Sequence, residues 1–411
     1  MRIITQVATG HNDAAARLAG WRGRMLILLT LVLAGCSQET GQKTQTAEDL
    51  GHKSSPCDLA TDTSAWTAFK DLADRITAQG DVPREDLDAF GALPSVTLWR
   101  NSLTPTVPSA QRVGNWLEGA FWQELGRQGR QKLNANRAEF MRSYRYSLEN
   151  RQRIDQRIDE LTGPRKCDVQ TQAEYWIEAG LLPDALAIHF LPAKPEIRIF
   201  EDALLVDTGV VGAGSVNQLI RQMTGLLYRN YQYLEGPSPA DLEGGMAVAH
   251  FFRVLMNEGV AGWIDQTADT EFDKGHPSLS KFQVVPEHYF IKTQEAVKLM
   301  NLHLRDMLDN EETMVAKAQS LVMTMGAMNA YGQTGYGMAS VIEARLGKDR
   351  LRASGRSVPA FVAAYQEAAS MNPDPLPEPG ALGVELYQTV PPLDADVFAK
   401  LHPLLLEYFP E

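Results

Sequence analysis

The chain has 411 residues, and 39 Lys and Arg against 51 Asp and Glu give it a formal net charge of −12. An acidic balance argues against nucleic-acid binding, which needs a basic surface, and the 44% hydrophobic and 22% charged residues exclude disorder throughout. The three cysteines contain no CxxC pair, so a cysteine zinc ribbon is excluded as well.

An apolar run near the start of the chain predicts a cleaved leader. Residues 25–33 are too few to span a bilayer, but they follow two arginines as the apolar region of a signal peptide does. They lead into Leu33-Ala34-Gly35-Cys36, which matches the lipobox of bacterial lipoproteins. We therefore predict a signal peptide over residues 1–35 and a membrane anchor through lipidated Cys36.

The residues after the lipobox predict a tether and an envelope location. Ser37 rather than Asp follows the cysteine, as in lipoproteins that are sorted to the outer membrane, so we expect the body to face the periplasm. Residues 36–56 are polar and rich in Gly, Ser, Lys and Gln, which is typical of a flexible tether. Loss of the leader removes four Arg and one Asp, which lowers the net charge from −12 to −15.

The two remaining cysteines are candidates for a disulfide. Because the periplasm is oxidising, Cys57 and Cys167 are expected to pair; two unrelated buried thiols are the alternative. They enclose most of a predicted helical region at 57–180, where apolar residues recur at helical spacing. The predicted helices cover 63–79, 110–125, 130–161 and 169–180, and Thr162-Gly163-Pro164 should end the third.

The sequence pattern changes at Leu181. Short apolar or alternating runs at 187–191, 197–200 and 203–207 predict three strands. Helices are predicted over 215–233, 239–264, 286–309, 311–325, 334–353, 358–371 and 394–408. The predicted fold is therefore α+β and predominantly helical, with a domain at 181–411 after the helical region.

Three segments of the second region occur in an order that a known family shows. They are 219–230, then 255–265 with Asn-Glu-Gly-Val-Ala, then 335–351 with Gly-Tyr-x-Met-Ala and Ile-Glu. This order resembles the bacterial gluzincin-like zinc-dependent peptidases over about residues 181–371. The resemblance implies a zincin-like domain in which one helix carries His-Glu-x-x-His. Its two His bind zinc, its Glu acts as the base, and a Glu on the next helix is the third ligand.

The zinc motif of that family is degenerate in this chain. The resemblance places Arg221 and Gly225 at the two His positions and Gln222 at the general-base position, within Arg221-Gln222-Met223-Thr224-Gly225. Only Glu258 matches the third ligand. Gln accepts no proton at neutral pH, Gly offers no ligand, and the fixed charge of Arg repels a cation. We therefore expect no hydrolysis by that mechanism, and we hypothesise an Arg221–Glu258 salt bridge in place of the metal.

A remodelled zinc site is the alternative. Glu243, His250 and Glu258 share one stripe of a helix, but steps of seven and eight residues separate them by about 11 Å along the axis. Any two of them would need help from another His to hold one ion. The candidates are His276, His288 and His303. An isolated His on an apolar helix is more often a core residue, and no His-Glu-x-x-His occurs among the eight His.

Aromatic residues of the last family segment suggest a groove. Tyr331, Tyr336 and a Met/Ala stripe at 323–342 could line it, although this spacing is more often used in a core. Glu343 matches the Ile-Glu of the family, where it could orient neighbours or be a solvated or structurally paired Glu.

The functional prediction combines the anchor with the degenerate motif. We predict an outer-membrane lipoprotein with a peptidase-like domain that binds a peptide or an envelope partner, using Arg221, Glu258 and Tyr336. No cofactor is expected, with zinc as a possible one. The alternatives are an active metallopeptidase with a remodelled zinc site, to which Glu258 and His250 would contribute, and a purely structural envelope lipoprotein.

Overall fold

A computed structural model describes part of the chain. The described residues are 57, 59–79, 82–102, 135–194, 196–232, 244–265, 286–327, 330–371 and 391–409, and the side chains of 135–141, 286–293, 311, 322–327, 330 and 331 are not described. The predicted signal peptide, Cys36, the tether and the helix predicted over 110–125 lie outside these residues. So do Glu243 and His276, and the side chains of His288 and Tyr331.

A small sheet lies among the described residues. Its strands are β1 (Ala60–Asp62), β2 (Ala187–Leu191), β3 (Ile197–Phe200) and β4 (Ala203–Asp207), in the order β1-β2-β4-β3. β2 is parallel to both β1 and β4, and β3 is antiparallel to β4. Every residue of β4 is buried, as expected for a central strand that is covered on both faces. The last three strands have the predicted bounds, whereas β1 was missed because three residues are too few to show alternation.

Six helices of the described residues lie between β1 and β2 in the chain, and two of them, Ser64–Gln79 and Pro94–Ser102, contact the sheet. They are α1 (Ser64–Gln79), α2 (Arg84–Gly91), α3 (Pro94–Ser102), α4 (Ala135–Glu149), α5 (Arg151–Thr162) and α6 (Asp168–Trp176). The helix predicted over 130–161 is two helices, separated at Asn150, whose side chain donates to the Tyr146 carbonyl at 2.9 Å. Cys57 and Cys167 form the disulfide that the sequence predicts, with Cα atoms 5.5 Å apart. It connects the residues before β1 to the start of α6.

The rest of the described chain is almost entirely helical. Its helices are α7 (Thr208–Ala213), α8 (Val216–Leu227), α9 (Gly244–Asp265), α10 (Pro286–Asp309), α11 (Glu311–Ala327), α12 (Ala330–Leu346), α13 (Lys348–Ser354), α14 (Val358–Ser370) and α15 (Ala395–Tyr408). A π-helical turn, Tyr228–Gln232, continues α8. The helix predicted over 334–353 is divided into α12 and α13 at Gly347, whose φ of 87° lies in the left-handed region that glycine adopts readily.

Helix α9 lies at the centre of this second group. It packs against α8, α11, α12 and α14, and most of its residues are buried. One continuous hydrophobic core contains residues from Leu59 to Leu405, so the two predicted regions, 57–180 and 181–411, share a core. The fold is α+β and predominantly helical, which confirms the predicted class. Among the described helices, none is long and apolar enough to cross a membrane.

Candidate functional site

Two glycines bring α9 and α12 into backbone contact. A Cβ at Gly259 would lie 2.2 Å from the carbonyl carbon of Gly335, and a Cβ at Gly335 would lie 2.1 Å from the Leu255 oxygen. No side chain fits at either position. The Glu-Gly and Gly-Tyr pairs of the family segments therefore include residues that the helix crossing requires. Next to the crossing, the ring of half-buried Tyr336 lies against Gly262, so this predicted binding residue packs on α9.

A third glycine fixes how α8 packs on α9. A Cβ at Gly225 would lie 2.8 Å from the Ala261 carbonyl oxygen and 3.3 Å from the Cβ of Asp265. In the π-helical turn that continues α8, the Arg229 carbonyl accepts a hydrogen bond from the Asn257 side chain at 3.2 Å. The two helices are thus antiparallel, with residue 225 opposite 261–265 and residue 229 opposite 257. Gly225, at a predicted zinc-ligand position, is a packing residue.

The antiparallel register decides which cation reaches Glu258. Arg229 Nε donates to Glu258 Oε2 at 3.1 Å, and both side chains are 36% exposed. The hypothesised partner, Arg221, lies two turns earlier on α8, towards the end of α9. Burial and then the positive charge of Arg221 lower the pKa of Lys348, which places Arg221 near the start of α13. The salt bridge at Glu258 exists, but the hypothesis named the wrong arginine.

Buried polar atoms without hydrogen-bond partners occur on α8 and at the last residue of α9. They are both amide atoms of Gln218, Oε1 of Gln222 and Oδ1 of Asp265, all within the described part of the chain. Gln218 is 3% exposed. Positions 218, 222 and 225 are spaced i, i+4 and i+7, so they lie on one face of α8. Gly225 is opposite Ala261 and Asp265, and α9 ends at Asp265, so Gln218 lies past the last residue of α9. Each such atom costs about 1–3 kcal/mol when nothing satisfies it.

Asp265 is a candidate site residue that the sequence analysis missed. As a residue it is half-buried, but its Oδ1 atom is fully buried. Burial raises the pKa of its carboxyl group to about 6, and the positive charge of Arg229 opposes that rise. Two residues earlier, the ring of Trp263 lies 5.4 Å from that of Trp176 on α6, which fixes this end of α9. A single Asp at a helix end has no distinguishing sequence pattern.

The other predicted metal candidate, His250, is hydrogen-bonded to Arg253. Its Nδ1 lies 2.9 Å from Arg253 Nη2, and burial and then the charge of Arg253 lower its pKa. Its imidazole is therefore held neutral with Nδ1 as an acceptor. His303 is half-buried on α10. Among the described side chains, no group of three His, Cys, Asp or Glu is placed to hold a metal ion.

Glu343 lies on α12, close to Lys348. Burial raises the pKa of its carboxyl group, and the charge of Lys348 opposes the rise. Lys348 Nζ in turn lies 5.2 Å from the ring centre of Tyr175, whose hydroxyl donates to Asp349 at 2.7 Å. These contacts tie α6 to α13.

The described residues do not fit the zinc site that the resemblance implies. Gly225 supplies no ligand atom, and any larger side chain there would meet the Ala261 carbonyl. The carboxylate of Glu258 is already paired with the guanidinium of Arg229. A divalent cation beside that guanidinium would be repelled by its fixed charge. The described side chains at these positions can donate and accept hydrogen bonds, and they do not supply the three ligands of a zinc site.

Comparison with known proteins supports the family resemblance for one segment. Residues 232–374 match a family described as putative zinc dependent peptidases. The matched segment is a zinc-peptidase-like one. It contains Glu258, Gly259 and the α12 residues from Gly335 to Glu343, and it begins after Arg221–Gly225, so the placement of the degenerate motif stays a prediction. No curated protein and no solved structure matches the chain.

Proposed function

We propose that this chain is an envelope-anchored binding protein whose peptidase-like domain holds a peptide without hydrolysing it. The observation that carries the proposal is the 3.1 Å ion pair between Arg229 and Glu258. The family resemblance assigns Glu258 to zinc, and in this chain an internal cation takes its carboxylate instead. In this proposal α8, α9 and α12 frame the binding site, and their polar side chains contact the peptide.

The chemistry of the interface explains why binding is favoured over hydrolysis. A zinc peptidase needs three protein ligands, one open metal position and a base that removes a proton from the bound water. Gln222, at the predicted base position, can donate and accept hydrogen bonds but cannot take that proton. Amide side chains of this kind complement the N–H and C=O groups of a peptide backbone.

The anchor is supported by two features of the chain. The lipobox ends at Cys36, which lipidation would attach to the membrane. The Cys57–Cys167 disulfide is characteristic of an oxidising compartment. We place the body on the periplasmic side of the outer membrane.

A proteolysis assay tests the absence of hydrolysis. Full-length protein is incubated with casein, with and without added zinc, beside Glu258→Gln and a zinc peptidase as the positive control. We expect neither the native protein nor Glu258→Gln to cleave casein above background, with or without zinc. Cleavage that zinc increases, that a chelator removes and that Glu258→Gln abolishes would contradict the proposal.

Fatty-acid labelling tests the anchor. We expect label and membrane association in the native chain and in Ser37→Ala, and loss of both in Cys36→Ser. Label that persists in Cys36→Ser, or its absence from all three chains, would show that the anchor is wrongly assigned.

A further inference from the structure

The Cys57–Cys167 disulfide lies where a thiol from outside the protein can reach it. Cys167 is exposed, whereas Cys57 is half-buried and packs against the hydrophobic core. Exposed disulfides are more readily reduced than shielded ones, and they are the class in which labile and regulatory bonds are found. Because the two cysteines differ in exposure, an attacking thiolate reaches Cys167 more easily than Cys57.

The surroundings of Cys167 favour negative charge on its sulfur. Cys167 is the N-cap residue of α6, and the positive end of a helix stabilises a thiolate. Lys166 precedes it in the chain, and the charge of Arg165 is shared with Asp168 through an ion pair. Thiol–disulfide exchange requires one thiolate to approach and another to leave, so a positive environment assists both events.

The disulfide also fixes the first strand of the sheet to α6. Cys57 lies just before β1, which has three residues and is at an edge of the sheet. The Ala60 N–H donates to the Leu186 carbonyl at 3.2 Å, and Asp62 Oδ2 lies 3.0 Å from His189 Nδ1. A strand this short has few contacts of its own, so the covalent link to α6 restrains it.

Helix α6 does not depend on the disulfide in the same way. Its Tyr175 hydroxyl donates to Asp349 at 2.7 Å, and its Trp176 ring lies 5.4 Å from that of Trp263. These contacts hold α6 on α13 and α9. Opening the disulfide therefore affects β1 more than α6.

We propose that the Cys57–Cys167 disulfide is a site of thiol–disulfide exchange in the folded protein, at which a dithiol attacks Cys167 and opens the link between β1 and α6. This inference goes beyond the proposed function, because it requires neither peptide binding nor the anchor. It names a dithiol as the co-reactant and Cys167 as the residue that the dithiol modifies.

The exchange has two balanced steps. A thiolate of the dithiol bonds to the Cys167 sulfur, the disulfide breaks, and Cys57 leaves as a thiolate that takes up a proton. The second thiol of the dithiol then attacks its own partner sulfur in the mixed disulfide and expels Cys167 as a thiolate, beside the α6 N-terminus. The dithiol is oxidised to a disulfide, and the protein disulfide is reduced to two thiols.

The urea dependence of reduction tests whether exchange occurs in the folded state. Full-length protein is incubated with dithiothreitol, and free thiols are alkylated and located by peptide mass spectrometry. We expect the rate to change by less than about twofold between zero and about 2 M urea. A bond that is reached only through global unfolding would be reduced at least about tenfold faster over this range, and that result would overturn the proposal.

A monothiol identifies the attacked sulfur. Glutathione stops at the mixed disulfide, and acid quenching at short times followed by peptide mapping locates it. We expect at least about fivefold more glutathione on Cys167 than on Cys57. Equal modification of the two, or a preference for Cys57, would overturn the assignment of Cys167. Lys166→Gln should slow the reaction about twofold or more, whereas Lys298→Gln, at an exposed position of α10, should not.

Hydrogen exchange measures what opening the bond does. In the reduced protein we expect the Ala60 amide to exchange at least about tenfold faster, with the amides of β4 unchanged. The double variant Cys57→Ser, Cys167→Ser should give the same pattern without reductant. Unchanged exchange at Ala60 would overturn the role of the link, and loss of protection throughout the sheet would overturn its local character.

Discussion

The two faces of α9 differ in what they require of the sequence. On the α12 side, Gly259 and Gly335 meet backbone to backbone, and a single added carbon would not fit. On the α8 side, Gly225 allows close packing, but the neighbouring positions carry Gln222, Arg229 and Asp265, which are polar and partly unpaired. The family match covers the glycine crossing and begins after residues 221–225. The glycine crossing thus lies within the matched segment, and the residues of the predicted motif lie outside it.

The largest effect should come from filling the glycine crossing. In Gly259→Ala the new methyl would lie 2.2 Å from the Gly335 carbonyl carbon, so α9 and α12 must separate. We expect a loss of at least about 4 kcal/mol in the free energy of unfolding, measured by urea denaturation. Gly262→Ala, one turn away on the same helix, meets only Tyr336 at 3.8 Å and should cost less than about 1 kcal/mol. Equal effects of the two variants would show that the crossing is not tight.

Restoring the zinc motif should fail for a steric reason. The triple variant Arg221→His, Gln222→Glu, Gly225→His places a large side chain at position 225. Even a Cβ alone would lie only 2.8 Å from the Ala261 carbonyl oxygen there. We expect about 3 kcal/mol of destabilisation and no zinc binding. The matched double variant, Arg221→His with Gln222→Glu, leaves Gly225 in place and should be closer to the native stability. Tight zinc binding by a stable triple variant would contradict this expectation. It would mean that α8 can move away from α9 to make room for a side chain at position 225.

On the α8 side of α9, Asp265 should make the free energy of unfolding depend on pH. Its folded pKa of about 6 is above the ordinary value of 3.8, so between about pH 4 and pH 6 the folded chain holds a proton that the unfolded chain has lost. Stability should therefore fall as the pH rises through this window. Asp265→Asn should remove about 1–2 kcal/mol of that fall, whereas Asp71→Asn, at an exposed position of α1, should not. Buried Asp207, with a pKa raised by burial to about 7, contributes in the same direction in every variant.

Denaturation at pH 4, 5, 6 and 7 measures this difference. Identical slopes for the native chain and Asp265→Asn would show that the Asp265 carboxyl is not buried. Gly262→Ala, on the same helix, should shift the stability equally at every pH because it changes no titratable group.

The smallest effect concerns the ion pair. Arg229 and Glu258 are each about one-third exposed, so a double-mutant cycle with Arg229→Met and Glu258→Gln should give a coupling of about 0.2–1 kcal/mol. The matched cycle with Arg221→Met should give a coupling near zero. A larger coupling for Arg221 would support the Arg221–Glu258 pair and contradict the observed register, in which residue 229 is opposite residue 257.

Most of the elements could be predicted from the sequence, but the site could not. Short apolar runs gave β2 and β4 their observed bounds, alternation gave β3 its bounds, and apolar periodicity located α9 and α10. The cation at Glu258 was misassigned because Arg221 on α8 and Arg229 in the following π-helical turn both lie near α9 in sequence order. The choice between them depends on the packing of Gly225 against Ala261, which is a tertiary contact. Gly259 and Gly335 stood in the quoted motifs, but spacing alone could not show that they touch each other.

Zinc content tests the central claim most directly. Full-length protein is incubated with excess zinc, dialysed and analysed by mass spectrometry, beside Glu258→Gln and Glu312→Gln, which removes an exposed carboxylate on α11. Because Arg229 occupies Glu258 and the facing helix has no His ligand, we predict less than about 0.1 zinc per chain in all three proteins. About one zinc per chain that is retained in Glu312→Gln and lost in Glu258→Gln would contradict the account.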